Sequence, residues 1–536
     1  MGGIGKAKSG SRKKQEQEQE QEQEQQNHNQ TATKTINQTV MKKLILILMV
    51  AVFAGRISAA DQPSQLTDQQ KAMMTAFHAA TPEDIHTWAH ELLKDEYRGR
   101  RSGDVGYDKA VTYVIDHFKK WGLKPMGDNG TYENTFAQPY NDVQSVGHLK
   151  AFYLLGKDTV VKDYLPRKDY FPTALSGNGD VTGELVYVGY GVTAPELKYD
   201  DYKGVDVRGK IVLCEGGYPY QGKNLDTLKM WSEHQRAGAK IAAAAEAGAA
   251  GVLFVSKYAN PFPRRAEDDV VVAFISEATA KELMAGTGRT LGQWRDRFKA
   301  FKGKPVFTGR TVSVAADTKF YPDNTTANVV GVIEGTDPVL KNEYIILGAH
   351  LDHLGMLPEM YPGALDNVSG SVIMMAAAKA LATSGVQMKR SVIVVLFAAE
   401  ELGVLGAGHY LKSMPFPKDK ITCMVNIDML GKGNGLMVNT ATEWKDLVPY
   451  FRDGSENWAR RPFSTVMNDW SYATRMFTDG NAFQNEKIPT IEMRATGGPW
   501  PQAYHVPEDT IDQLDPVIMA DAARALCIAV INIANK

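Results

Sequence analysis

Cysteine is almost missing from this chain. Three residues, Cys214, Cys423 and Cys527, are spread over 536 positions with no Cys-x-x-Cys spacing. That excludes a disulfide framework and a thiolate zinc finger, so any metal must be held by nitrogen and oxygen ligands. An excess of charge of either sign is also lacking. Lys and Arg number 60 against 62 Asp and Glu, a formal net charge of −2, which gives no reason to expect nucleic acid or an anionic membrane as a partner. Apolar residues are plentiful at 43%, and the length is too great for one ordinary core, so two folded domains are expected.

The first sixty residues stand apart. Residues 15–26 form a Glu/Gln repeat with nothing to bury and read as disordered. Lys42 and Lys43 then precede an apolar run over 44–54, and Ser58-Ala59-Ala60 offers small residues for cleavage. The run is too short to span a bilayer and no Cys follows it, so a cleaved signal peptide over 41–60 is expected rather than an anchor. A signal belongs at an N-terminus, so synthesis is expected to start at Met41, with residues 1–40 a start-site artefact. The expected location is the periplasm or the exterior, with no stable membrane insertion.

Helical patterning runs from about 67 to 119 and is interrupted by the basic, Gly-containing segment Arg98-Gly99-Arg100-Arg101-Ser102-Gly103. The polar stretch 158–180 reads as a boundary. Between 185 and 311 come short β-branched runs bounded by glycine, such as 184–191 and 209–214, and an Ala-rich helix over 241–250. This part carries few converging His or carboxylate groups and reads as a non-catalytic insert. From 328 onward strands alternate with helices. Strands are expected at 344–347, 391–397, 421–427 and 490–493, and helices at 371–382, 401–411 and 516–535. Continuous apolar strands separated by helices predict an α/β fold, a mostly parallel or mixed central sheet covered by helices on both faces.

At the ends of those strands stand metal-type ligands. His350 and Asp352 follow the first strand, and Asp366 lies in the small-residue loop Gly363-Ala364-Leu365-Asp366-Asn367. Glu400 and Glu401 end the run 392–399, Asp428 follows Asn426-Ile427, and His505 follows Tyr504. Strand ends are where open α/β sheets keep their chemistry. Two His, three carboxylates and a spare Glu are the ligand count of two zinc ions sharing a bridge. Asp366 is the candidate bridge, although an Asp before a helix also suits an N-cap. His350, Asp366 and Asp428 would form one site; Glu401 and His505 would complete the other. His353 competes with His350, which lies nearer the strand end. Asp352 is expected to accept the second N–H of His350 and fix its tautomer. Adjacent buried carboxylates repel unless cations compensate them, so Glu401 is assigned to metal and Glu400 to proton transfer as general base.

These pieces, His-x-Asp, Gly-Ala-x-Asp-Asn-x-Ser-Gly, Glu-Glu, Asn-x-Asp-Met-x-Gly and Tyr-His-x-x-x-Asp-Thr, resemble the zinc exopeptidase family of aminopeptidase Y and the secreted bacterial leucyl aminopeptidases, relatives of glutamate carboxypeptidase and transferrin receptor. The segment at Gly99-Arg100 is similar to that family's opening. Val188-Gly189-Tyr190-Gly191 with 199–202 and 209–212 resembles its inserted, β-rich protease-associated domain. The resemblance implies the metal roles above, Glu400 as base, and Tyr504 as a hydrogen-bond donor to the tetrahedral intermediate. It also implies peptide substrates and a layout of peptidase residues 61–160, insert 161–315 and catalytic zinc domain 316–536. Where many members carry Ser-Asp-His, this chain has Thr478-Asp479-Gly480. Phe477 replaces an Arg that binds substrate in some members, and Arg475 stands two residues earlier. An aminopeptidase is expected, with carboxypeptidase, dipeptidase and single-zinc glutaminyl cyclase as alternatives within the family. A non-enzymatic receptor ectodomain is disfavoured because every ligand is kept. N-terminal sequencing of the mature protein is expected to find a start just after Ala60; a start before Met41 would refute the leader assignment.

Overall fold

The computed structural model describes residues 66–256, 269–468, 477–498 and 503–536. The leader, residues 1–40 and Arg475 lie outside the described residues. The strands form two large sheets. The first has nine strands, with Thr325–Ile333, Ser391–Phe397, Tyr344–His350, Ile421–Ile427, Thr490–Thr496, Gly435–Ala441 and Phe463–Asn468 in that order, and Lys124–Pro125 and Glu133–Ala137 on its outer side. Tyr344–His350 runs parallel to both neighbours, whereas Thr325–Ile333 and Gly435–Ala441 pair antiparallel with theirs at Ser391–Phe397 and Thr490–Thr496. The sheet is therefore mixed.

The uninterrupted apolar strands are explained by their two covered faces. Val392, Val394 and Leu396 enter the core beneath helices Ser369–Thr383 and Pro516–Ala534. Ile393, Val395 and Phe397 enter a separate core with Tyr410 of helix Leu405–Ser413 and Phe483 of helix Gly480–Asn485. A period of two thus sends alternate residues into opposite cores, and no position is left for a polar residue. Helix Pro516–Ala534 is long and apolar enough to cross a membrane, but 83% of its window is buried inside this fold. It is a core helix.

The second sheet has eight strands and is built from Tyr140–Leu155, Asp158–Asp163, Tyr170–Phe171, Gly179–Tyr187, Ile211–Glu215, Gly251–Val255, Val271–Ile275 and Val306–Tyr321. The boundary expected from the polar stretch 158–180 is corrected here: the sheet already begins at Tyr140. The strand Asp158–Asp163 is an edge whose side chains are nearly all exposed, so polar residues there mark a solvated edge strand and not a linker.

The interrupting segment Asp95–Arg100 lies beneath the sheet edge that carries the ligands. Arg100 is fully buried. Its guanidinium donates to the carbonyls of Leu351 at 3.0 Å, Leu92 at 3.0 Å, Pro362 at 2.8 Å and Gly363 at 3.0 Å. The loop between His350 and Asp366 is therefore tied at both ends to one side chain. Burial pulls this guanidinium down to about 10, while Asp509, Asp352, Asp366 and Glu401 oppose the shift. Replacing Arg100 with Met should strand four buried carbonyls and cost at least about 3 kcal/mol of stability. Denaturant unfolding checks this; a loss below about 1 kcal/mol would contradict the clamp.

Candidate metal centre

Each strand end is held by side chains from other segments. His350 closes its strand and is 1% exposed. Its Nδ1 lies 3.0 Å from the main-chain carbonyl of Asp352, and the Asp352 carboxylate is farther, at 3.7 Å. A carbonyl can only accept, so Nδ1 carries the proton and Nε2 is left as the free lone pair. The tautomer expected from sequence is kept, but the partner is corrected: the backbone of Asp352 holds the ring. The carboxylate instead accepts the Glu400 N–H at 3.1 Å. Next to it, the Ala399 N–H donates to Ser102 Oγ at 2.7 Å and the Ala398 N–H to Asn328 Oδ1 at 2.8 Å. Glu400 and Glu401 lie in this pinned turn. The helix expected over 401–411 starts only at Leu405.

Asp366 is not an N-cap. It and Asn367 depart from helical geometry, and helix Ser369–Thr383 begins beyond them. The capping role falls to Asn367, whose Oδ1 accepts the Gly370 N–H at 2.9 Å and the Met429 N–H at 3.2 Å. Its amide donates to the Ile427 carbonyl at 3.0 Å, which ties the Asp366 loop to Asp428. From the other side Asp509 grips the same loop. Its carboxylate accepts the N–H groups of Leu365 at 2.9 Å and Asp366 at 3.1 Å.

With its backbone so held, Asp366 faces both histidines. Oδ1 is 3.2 Å from His350 Nε2 and Oδ2 is 3.2 Å from His505 Nε2. Asp428 Oδ1 lies 3.5 Å from the first imidazole and Glu401 Oε2 3.1 Å from the second. The Nε2 atoms of His350 and His505 and Asp428 Oδ1 are all buried without a hydrogen-bond partner. Among the described residues, ligand atoms within 4.8 Å of one another occur in three groups: His350, Asp366, Asp428; His353, Asp366, Glu401; and His350, Glu400, Glu401. The second group raises His353 again as a rival. Its Nδ1 lies 2.7 Å from Glu401 Oε1 and orients that carboxylate, while its Nε2 is buried without a partner, as are those of His350 and His505. His505 instead reaches Asp366 and Glu401 about equally, which suits a ligand. Orphaned lone pairs converging from nitrogen and oxygen donors are the chemistry a divalent cation satisfies.

Electrostatics agree. Burial pushes the Glu400 carboxyl well up, with Glu401, Asp479 and Asp428 adding to the shift and His350 opposing it. Burial would lower His350, but the facing carboxylates of Asp352, Asp366 and Asp428 outweigh it and raise the ring well above its usual value. For His505, burial is likewise outweighed by Glu401 and Asp366, which lift it to about 10. Tyr504 stacks on His505 with ring centroids 3.8 Å apart and is 40% exposed.

Residues 328–530 match peptidase family M28, and residues 181–283 match the PA domain. Leucine aminopeptidase 2 of Trichophyton rubrum is 35% identical over 394 residues, covering 69% of this chain and 68% of that protein. The chain belongs to peptidase family M28. Aminopeptidase YwaD of Bacillus subtilis is 25% identical over 236 residues, 41% of this chain and 47% of that protein, so the match spans about half of that relative. Among solved structures, the aminopeptidase from Aneurinibacillus sp. strain AM-1 shares the fold at a TM-score of 0.58 and 21% identity, covering 86% of this chain and 96% of that one. A zinc aminopeptidase from Bacillus subtilis shares it at 0.56 and 18% identity, covering 85% and 95%.

Several members of this M28 site escaped sequence reading: Arg100, Ser102, Asn367 and Asp509 bind main chain, and His353 orients Glu401. Asn367 and Asp509 sat inside the recognised motifs, and that was their only signal. The Gly480 departure has a steric cause. A Cβ there would lie 2.0 Å from Glu492 Oε1, and Glu492 is fixed by Thr478 at 2.6 Å and Asn426 at 3.0 Å. Phe477 is exposed. Because the surrounding carboxylates raise His350 and His505 while ligation needs neutral rings, metal uptake at pH 7 should release protons. A pH-indicator titration in weak buffer should record release of about one to two protons per chain on metal binding; no release would contradict the ligand assignment.

Proposed function

We propose that the protein is a secreted or periplasmic di-zinc aminopeptidase. The observation that carries the reading is Asp366, one carboxylate with an oxygen 3.2 Å from each of two buried imidazoles. His350 and Asp428 would share one Zn²⁺ with it, and Glu401 and His505 the other. Bound there, zinc supplies Lewis acidity, lowering the pKa of water and polarising a carbonyl. The remaining chemistry belongs to side chains. Glu400, with a carboxyl raised by burial, takes the proton of the attacking water and hands it to the leaving amine. Asp352 fixes both His350 and the Glu400 backbone. Tyr504 stands beside His505 to donate a hydrogen bond to the oxyanion.

The carboxylate-rich surroundings favour a substrate that brings a free α-ammonium group, and relatives named as aminopeptidases support the same choice. We assign the protease-associated insert to the second sheet, whose strands lie within residues 140–321, and the catalytic part to the first sheet. Replacing Glu400 with Gln should lower kcat on amino-acyl nitroanilides by at least about a hundredfold with metal content unchanged. A peptide-library digest read from both termini should show loss of N-terminal residues. Near-normal turnover in E400Q, or trimming from the C-terminus, would refute the reading.

A further inference from the structure

One turn of the second sheet meets the loops that carry the candidate ligands. Residues 165–170 join the strands Asp158–Asp163 and Tyr170–Phe171, and the turn is fastened by its own bonds. The Asp169 carboxylate accepts the Leu165 N–H at 2.9 Å, and the Arg167 N–H donates to the Tyr170 carbonyl at 2.8 Å. The Asp169 carbonyl accepts from Ser276 N–H at 2.9 Å and Thr279 Oγ1 at 2.8 Å. At the tip, Arg167 has φ 66°, a left-handed conformation that a residue with a Cβ adopts at a cost. A rigid and strained turn therefore presents one guanidinium.

That guanidinium meets two carboxylates of the other sheet's loops. Nε is 2.7 Å from Glu359 Oε1, and Nη2 is 3.0 Å from Glu508 Oε1. Glu359 lies on the segment between His350 and Asp366, between the short strands Gly355–Met356 and Met360–Tyr361. Glu508 lies between His505 and Asp509. Beside this contact, Val143 and Ala174 bury against Leu354, Leu357 and Tyr361 of the same ligand-bearing segment. Glu359 and Glu508 would otherwise repel one another across the two loops.

We infer that Arg167 is a positioning residue for the metal centre: by joining Glu359 to Glu508 it fixes the loop that delivers Asp366 against the loop that delivers His505. The inference rests on the di-zinc reading of that site and gives the inserted module a part in it. Arg167 touches neither metal ligands nor reacting atoms, and its effect is transmitted through Glu359 and Glu508. Half-exposed ion pairs are individually weak, so the consequence is a graded loosening and not a loss of the site.

The test compares wild type, Arg167→Ala, Arg167→Lys, Glu508→Gln and the R167A/E508Q double variant. Zinc loss to a metallochromic chelator is followed alongside KM and kcat on an amino-acyl nitroanilide, with thermal unfolding of the zinc-free proteins as a control for folding. R167A is expected to lose zinc about fivefold faster and raise KM by a similar factor, with kcat and zinc-free unfolding little changed. R167K is expected to lie between it and wild type, and E508Q to add little on top of R167A. Added salt should speed zinc loss from wild type more than from R167A. Equal zinc-loss rates, or fully additive effects of R167A and E508Q, would overturn the inference while leaving the di-zinc reading intact. A wild type that binds no zinc would overturn both.

Discussion

Buried negative charge is the constraint that organises this molecule. Asp352, Asp366, Asp428, Asp479, Glu492 and Asp509 are all buried, and Glu400 and Glu401 adjoin them at the same sheet edge. Two like charges about 4 Å apart repel by roughly 4 kcal/mol at an effective dielectric of about 20. Such a cluster persists only if cations, hydrogen bonds or protons compensate it. Arg100 supplies a permanent positive charge from below, and backbone N–H groups absorb Asp509 and the Asp352 carboxylate. For Asp366, Glu401 and Asp428 the facing groups are imidazoles whose lone pairs have no hydrogen-bond partner. In the proposed reading divalent cations would complete that balance.

The scaffold's other features follow from keeping these groups still. The strands that end at His350, Phe397 and Ile427 are neighbours in the middle of the sheet and apolar on both faces, so their ends rest on packed cores on either side. Loops that leave them are fastened by single polar residues. Arg100 binds both ends of the His350–Asp366 loop, Asn367 joins that loop to the Asp428 turn, and Asp509 joins it to the His505 segment. Each of these residues spends its polarity on main chain, which sets geometry without competing for the cation.

The catalytic sheet was legible in the sequence because apolar runs such as 391–397 have no polar alternation, and that pattern requires two covered faces. The candidate ligands His350, Glu401 and Asp428 were legible because each sits at or just beyond such a run's end, whereas Asp366 and His505 lie outside the strands. What the sequence did not disclose was long-range partnership. Arg100 looks like a solvated basic loop residue until the fold places four carbonyls around it. Asp352 was assigned through its carboxylate, whereas the ring is held by its carbonyl, a distinction that depends on local backbone path alone. The helix expected at 401 starts at Leu405 because Glu400 and Glu401 are spent in a pinned turn, a tertiary demand that overrides their helix propensity. The strand Asp158–Asp163 was read as a boundary because an edge strand presents polar residues to water.

The most direct test of the account is a count of ions by anomalous diffraction at the zinc absorption edge from crystals of the zinc-loaded protein. Two peaks per chain are predicted, one among His350, Asp366 and Asp428 and one among Asp366, Glu401 and His505. A single peak, or a second one bound by His353 in place of His505, would contradict it.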